Sequence, residues 1–252
     1  MNPILLWFHK LGSPPTFYAF AGRLMPWLLG LTLVTGAIGL YWGLFIAPAD
    51  YLQGESVRIL YIHVPSAWMS MAIYLFMAVN AVIALVWRTK IAEILTMAAA
   101  PIGAAFTVIT LATGSLWGRP TWGTYWAWDA RLTSVLILLF IYFGIMGLYN
   151  AIEDRRRAAQ AACLLTLVGV VILPVIRYSV EWWSTLHQPA TIRVLGESSM
   201  HASMLWPLLI MAVATKFYFG WALLARSRVM VLRQESGKVW VRELLESKEA
   251  GR

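Results

Sequence analysis

The sequence predicts an all-α, polytopic integral membrane protein with six transmembrane helices and an external Trp-rich interfacial segment. Three observations predict it. The chain of 252 residues is 60% hydrophobic, with a mean hydropathy of +0.68. Only 13% of it is charged, against roughly 25% in soluble domains. Six apolar runs, at about 24–46, 60–87, 93–115, 132–151, 158–176 and 202–225, each approach the length that crosses a hydrocarbon core of roughly 30 Å. All six are expected to be helical, because only helices or closed barrels satisfy the backbone in lipid, and none shows the alternation of a barrel strand.

In chain order, the start M-N-P-I-L-L-W-F-H-K is too short an apolar stretch, with no basic residue before it, to read as a cleavable signal peptide. His9 lies in it and nothing around it suggests a role. The first run leads into the polar loop 47–59, where Asp50, Gln53, Glu55 and Arg58 are the handles of a partner-docking surface. The second opens at His63-Val64-Pro65. Pro65 suits the first turn of a helix, where its missing N–H costs nothing, and this sets His63 at a rigid helix start. The third run ends just before Trp117, and the fourth is followed by Arg155-Arg156-Arg157. The fifth contains Cys163, the single cysteine, so there is no internal disulfide, no redox pair and no C-x-x-C-H attachment site. The loop 177–201 carries His187-Gln188-Pro189, and His201 opens the sixth run. The tail 226–252 mixes both charge signs and reads as a short solvated helix.

Lysine and arginine orient the runs. Lys10, Arg23, Arg88, Lys90, Arg155, Arg156, Arg157 and seven tail residues make fourteen on one side. Arg58, Arg119, Arg131, Arg177 and Arg193 make five on the other, and Lys216 lies within the last run. By the positive-inside rule both termini are cytoplasmic, and the loops 47–59, 116–131 and 177–201 are outside. The formal net charge of +8 is therefore a topology signal and not a nucleic-acid footprint.

The densest stretch is Trp117–Ser134, W-G-R-P-T-W-G-T-Y-W-A-W-D-A-R-L-T-S. Trp117, Trp122, Trp126, Trp128 and Tyr125 are interleaved with Arg119, Asp129 and Arg131. Gly118, Pro120 and Gly123 are expected to break a helix here, and the charges are costly in hydrocarbon. Ordinary interfacial belts place one or two aromatics at a helix end, where this stretch has five. The expected form is a flat aromatic shelf at the membrane surface, fit for a large, flat, apolar ligand. Asp129 is placed to accept from a Trp N–H or to orient Arg131. Three histidines, His63, His187 and His201, share the outer side with this shelf. Each alone is more often an interfacial residue than a ligand. The adjacent prolines, which stiffen their segments, favour His63 and His187 over His201. Arg58, Arg119, Arg131 and Arg193 suit carboxylate groups, although pairing with Asp129, Glu181, Glu197 or lipid phosphate is the plain alternative.

The spacing W-G-x-x-x-W-G-x-x-W-x-W-D-x-R resembles the WWD signature of the haem-handling proteins of cytochrome c maturation. The chain is similar to the haem exporter protein C (CcmC) family from about residue 24 to 226. That resemblance implies a six-helix haem-handling domain over 1–226, with the WWD segment at 117–131, and a cytoplasmic tail over 227–252. It implies non-covalent haem b with His63 and His187 as axial ligands, His201 in reserve, above the Trp117–Asp129 platform. It also implies a multi-pass place in the bacterial inner membrane and transfer of haem to a chaperone of the CcmE type. Subunits of the CcmA and CcmB type, with a small CcmD subunit, would form the ATP-binding-cassette complex. This chain has no G-x-x-x-x-G-K-[ST] motif and no Ser-His-Asp or hydrolase spacing, so it is expected to carry haem without being an enzyme.

Two other readings are a membrane b-type cytochrome and a small-molecule permease. The first calls for paired histidines within the spans, and no histidine lies mid-run. The second calls for ionisable groups near mid-membrane, where only Glu93 and Lys216 are candidates, both towards the cytoplasmic ends of their runs. The charge asymmetry makes a direct prediction. A reporter fused after Arg252 should be cytoplasmic, and a cysteine label at Gly123 should be reachable from outside. The opposite pattern would put the tryptophans and three histidines in the cytosol.

Overall fold

The structure is a computed structural model that describes residues 12–183, 185–187 and 200–250. Arg193, Glu197, Pro189 and His9 lie outside the described residues. Helix α1 (Pro14–Tyr41) starts with Pro14 and Pro15 in its first turn and continues as a π-helical turn, Trp42–Ile46. A 3₁₀ turn (Glu55–Ile59) runs into α2 (Leu60–Trp87). Then come α3 (Lys90–Trp122), α4 (Ala130–Ala151), α5 (Arg155–Gly169), α6 (Ile172–Trp182), α7 (Ala202–Gln234) and α8 (Val239–Ala250). Helices α5 and α6 together form one span, and six spans are long and apolar enough to cross a membrane. Among the described residues there is no strand.

The spans are longer than the apolar runs because a helix does not stop at the edge of hydrocarbon. Two local expectations change as a result. Pro65 is not in the first turn: the 3₁₀ turn precedes α2, and Pro65 lies buried inside the helix. Pro120 and Gly118 do not break α3, which runs through both to Trp122. Pro120 removes one backbone donor near the end of the helix, and Gly123, at φ 78°, turns the chain out in the left-handed region and donates to the Arg119 carbonyl at 3.0 Å.

Helix α3 is the centre. It packs against α2, α4, α5 and α7, whereas α1 rests almost wholly on α7. Ala98, Ala99 and Ala100 are fully buried, so neighbouring backbones come close. Two tyrosines lock the helices around it. Tyr142 of α4 donates to the Ser70 carbonyl of α2 at 2.7 Å, and Tyr74 of α2 donates to the Thr166 carbonyl of α5 at 2.9 Å. Their rings meet edge to face at 5.3 Å. In an apolar interior each hydroxyl needs such an acceptor, since an unpaired polar group is costly there. The threonines of the spans satisfy themselves within their helices, as Thr107 does on the Gly103 carbonyl at 2.7 Å.

At the basic end of the bundle, α7 passes residue 226 without interruption as far as Gln234. The tail helix α8 is not solvated all round. Trp240 meets Tyr18 at 5.9 Å, Val241 is buried, and Glu235 joins Lys90 to the Trp240 indole.

The central packing yields a test. A methyl group on Gly103 would collide with the Tyr142 ring, while one on Gly147 meets nothing within 4 Å. Gly103→Ala should cost about 1–3 kcal/mol of stability, read as a lower melting temperature in detergent. Gly147→Ala should leave that temperature unchanged, and equal melting of the two variants would show that the tyrosine lock is not tight.

Candidate functional site

The end of the bundle opposite α8 carries the tryptophans. Gly123 ends α3 there, and Thr124–Asp129 lead into α4. The Thr124 hydroxyl bonds the Trp126 backbone, donating to its carbonyl at 2.9 Å and accepting from its N–H at 3.3 Å, which tightens this link. Asp129 is the N-cap of α4: its Oδ1 accepts from Leu132 N at 2.7 Å. Its other oxygen, Oδ2, faces His187 Nδ1 at 3.3 Å and accepts from Leu186 N at 3.3 Å. One nearly buried carboxylate thus starts a helix and holds a histidine from a distant loop. Among the described residues it accepts from no tryptophan N–H and makes no hydrogen bond with Arg131, on which its charge still acts.

The tryptophans do not form one flat shelf. Trp117 and Trp122 lie on α3, one turn and a half apart, and turn towards the two histidines. Trp117 meets the His63 ring edge to face at 5.6 Å and donates to Gln53 Oε1 at 2.8 Å. Trp122 meets the His187 ring at 4.8 Å. Trp126 and Trp128 cross at 80°, with Trp128 largely exposed and the Trp126 Nε1 buried without a partner among the described residues. Ring planes set so steeply to their neighbours make walls and not a floor.

The hydrogen bonds assign the ring tautomers. The Thr113 hydroxyl donates to the Ile109 carbonyl at 2.6 Å, so towards His63 Nδ1, 3.0 Å away, its oxygen acts as an acceptor. His63 therefore carries its proton on Nδ1. His187 does the same, because its Nδ1 faces a carboxylate. In both rings Nε2 keeps a bare lone pair, and among the described residues neither Nε2 meets a donor or acceptor. His201 is the reverse. It caps α7, with Nδ1 accepting from Ser203 N at 3.3 Å, so its proton sits on Nε2. His63 and His187 lie within reach of each other's charge. Burial lowers the His187 pKa below the ordinary imidazole range, and the Asp129 hydrogen bond offsets only part of that. The His187–Asp129 contact is thus a hydrogen bond to a neutral ring at pH 7.

The three arginines serve first as struts. Arg58 donates to the carbonyls of Gly43 at 3.1 Å and Ala47 at 3.0 Å, at the end of the first span, and pairs with Glu55. Arg119 bonds the Gly123 carbonyl, with its head over Tyr125 at 5.6 Å. Arg131 reaches across to α6, donating to Ser179 Oγ at 3.2 Å and to the Ile176 carbonyl at 3.4 Å. That strut ties the helix preceding the His187 loop to the start of α4. In the loop 47–59, Asp50 caps its own turn, accepting from the N–H groups of Leu52 and Gln53 at 2.9 Å each. Gln53 holds Trp117, and Glu55 is exposed.

Residue-by-residue reading missed Thr113 and Gly114. The His63 ring lies over Gly114, where a Cβ would come within 2.9 Å of Cε1. The available signal was spacing: Thr113 and Trp117, like Gly114, Gly118 and Trp122, recur every four residues and so share a helix face.

Comparison with known proteins identifies the family. Residues 7–242 match the family model described as heme exporter protein C. The chain is 52% identical over 224 residues to the heme exporter protein C of Bradyrhizobium diazoefficiens, covering 89% of this chain and 85% of that one. It is 48% identical over 242 residues to the heme exporter protein C of Escherichia coli, covering 94% and 96%. A putative cytochrome c biosynthesis ccmC-like mitochondrial protein of Marchantia polymorpha is 42% identical over 205 residues, covering 81% and 87%.

Nitrogen-15 spectra of histidine-labelled protein test the tautomers. His63 and His187 should carry the proton on Nδ1 and His201 on Nε2. Asp129→Asn keeps a capping side chain but removes the charge that supports the ring. The His187 titration should then move to still lower pH, and an upward move would show that Asp129 does not hold it.

Proposed function

We propose, from the premise that the chain belongs to the heme exporter protein C family, that it holds haem b non-covalently at its tryptophan end and passes it to a membrane-anchored haem chaperone. The observation that carries this reading is the pair of bare Nε2 atoms. Two imidazoles of one tautomer, near each other and walled by Trp117 and Trp122, match what haem iron takes as axial ligands. The single cysteine is buried in α5 and the sequence holds no C-x-x-C-H, so the haem stays unattached to this chain.

The two ligands are unequal. A carboxylate on Nδ1 makes an imidazole a better donor, so His187, backed by Asp129, is the firmer ligand. His63 is backed by the neutral Thr113 hydroxyl and the Thr110 backbone, with no charge behind it, and would be the more weakly held ligand. Trp126 Nε1 offers a donor to an oxygen of the bound group, and Arg119, the most exposed of the three strut arginines, is the partner for a propionate. Arg58 and Arg131 act mainly by holding the frame. Trp128 and Tyr125 are exposed where the site meets the bilayer surface or the partner. The loop shaped by Asp50, Gln53 and Arg58, with Glu55 outermost, is the docking surface for a chaperone of the CcmE type.

The site faces the periplasm in this reading, with both termini in the cytoplasm of a cell whose inner membrane the six spans cross. The work is positioning and ligand exchange, not catalysis. The chain carries no phosphate-binding G-x-x-x-x-G-K-[ST] loop, so ATP-driven release belongs to subunits of the CcmA and CcmB type with a CcmD-type partner.

Absorption spectra test the reading. Purified protein should show a Soret band whose haem leaves on acid-organic extraction. His63→Ala and His187→Ala should each give a five-coordinate spectrum that added imidazole restores. Trp122→Ala should lose haem partially, since one aromatic contact contributes ~1 kcal/mol beyond area burial. Haem that stays six-coordinate in both histidine variants would overturn the ligand assignment. A Trp122/Trp126 double variant that inserts well and keeps full haem would overturn the aromatic walls.

A further inference from the structure

A cleft of about 420 Å³ lies between α2, α3 and α7, away from the tryptophan walls. Ile62 and Ser66 form one side, the stripe Pro101 to Ile109 the floor, and Thr215, Tyr218 and Arg226 the other side. It opens sideways: Ile62, Ile109 and Tyr218 are 37%, 39% and 42% exposed, on a surface that faces lipid if the six spans cross a membrane. Two of its polar side chains are occupied, and Tyr218 adds a hydroxyl on a ring that meets Phe106 at 6.0 Å. Ser66 Oγ donates to the Ile62 carbonyl at 2.7 Å, and Thr215 Oγ1 to the Ala212 carbonyl at 3.0 Å. What remains for a ligand is an apolar trough with one cation at its end.

That cation is aimed. Pro101 takes one backbone donor out of α3, and in the turn before it Arg226 Nε donates to the Ala98 carbonyl at 3.2 Å. Anchored by Nε, the guanidinium keeps its two terminal amino groups for another partner, a fork that fits phosphate oxygens. The trough spans Thr215 to Arg226 on α7, about 16 Å at the helical rise. This is close to half of a hydrocarbon core of roughly 30 Å, the depth of one leaflet. No histidine, cysteine or methionine lines it, which leaves Tyr218 as the one lining side chain of a type that can ligate haem iron. Arg88, Lys90, Arg228 and Arg233 crowd the same end of the bundle, which favours a head group with net negative charge.

We infer that this cleft is a binding site for one anionic phospholipid, its acyl chain in the trough and its phosphate on Arg226. The lipid completes the bundle where α2, α3 and α7 leave a gap. The upper end of that gap is the turn of α3 whose Ile109 carbonyl supports Thr113 and, through it, His63.

Native mass spectrometry of the full chain tests this, using micelles with equal phosphatidylglycerol and phosphatidylethanolamine. The wild type should keep one phosphatidylglycerol. Arg226→Gln, a change at an exposed side chain, should lower that occupancy roughly tenfold or more, as expected for losing a charged hydrogen bond. Ala105→Phe, which fills the trough, should remove both lipids. Equal retention of the two lipids by the wild type, or retention unchanged by Arg226→Gln, would overturn the inference. So would an Ala105→Phe protein that keeps its lipid and loses its haem, since the cleft would then belong to the haem. The Arg226→Gln arm stands if Ala105→Phe does not fold.

Discussion

Helices in hydrocarbon gain little by hiding apolar surface from each other, so they are held by close fit and by polar groups bonded among themselves. Helix α3 meets both conditions, and the other spans take their positions from it. Three successive alanines and Gly103 let α2, α4 and α5 approach, and Tyr74 and Tyr142 thread hydrogen bonds between those neighbours. The same helix carries the consequences to both ends. One end holds Lys90, which ties down the tail through Glu235. The other holds Thr113, Gly114, Trp117 and Trp122 against the two histidines. A shift of α3 along its axis would therefore move the fold and the site together.

Polar side chains at the tryptophan end spend themselves on geometry before any ligand arrives. Arg58, Arg119 and Arg131 all donate to backbone carbonyls at or near helix ends, where such groups lack helical partners or can share a second donor. Asp129 does the converse at a helix start. Among the described residues this frame leaves the two Nε2 atoms and Trp126 Nε1 with capacity left over. The difference between a carboxylate behind His187 and a hydroxyl behind His63 is then built in by the frame, not by the ligand.

Much of this was legible in the sequence, for physical reasons that also explain what was not. Six spans follow from run length and composition, because hydrocarbon admits little else. Their ends do not, since Pro14–Arg23 and Leu116–Trp122 are helical beyond the apolar core, and a proline near a helix end removes only one bond. His63 and His187 stood out because they share a side of the membrane with the tryptophans. Thr113 did not, because a threonine in an apolar run usually bonds its own helix, as Thr107 and Thr110 do. Its second role depends on the register of α2 against α3, which no local pattern encodes. Asp129 was noticed for its neighbours in sequence, whereas its partner His187 lies in another loop.

Among the described residues, helix α1 has almost no partner except α7, and the contact joins the two ends of the chain. Arg228 lies over the Tyr18 ring at 4.1 Å, with Gly22 leaving room for its guanidinium. A chain that enters the membrane as it is made thus releases its first span long before the span that receives it exists. At about 5–20 residues per second, the wait between Tyr18 and Arg228 is on the order of ten seconds or more. Throughout that interval α1 has only lipid, or another protein, along a face that is mostly apolar. The order of synthesis makes the first helix the last to be placed, and gives any membrane factor that escorts it a defined time in which to act.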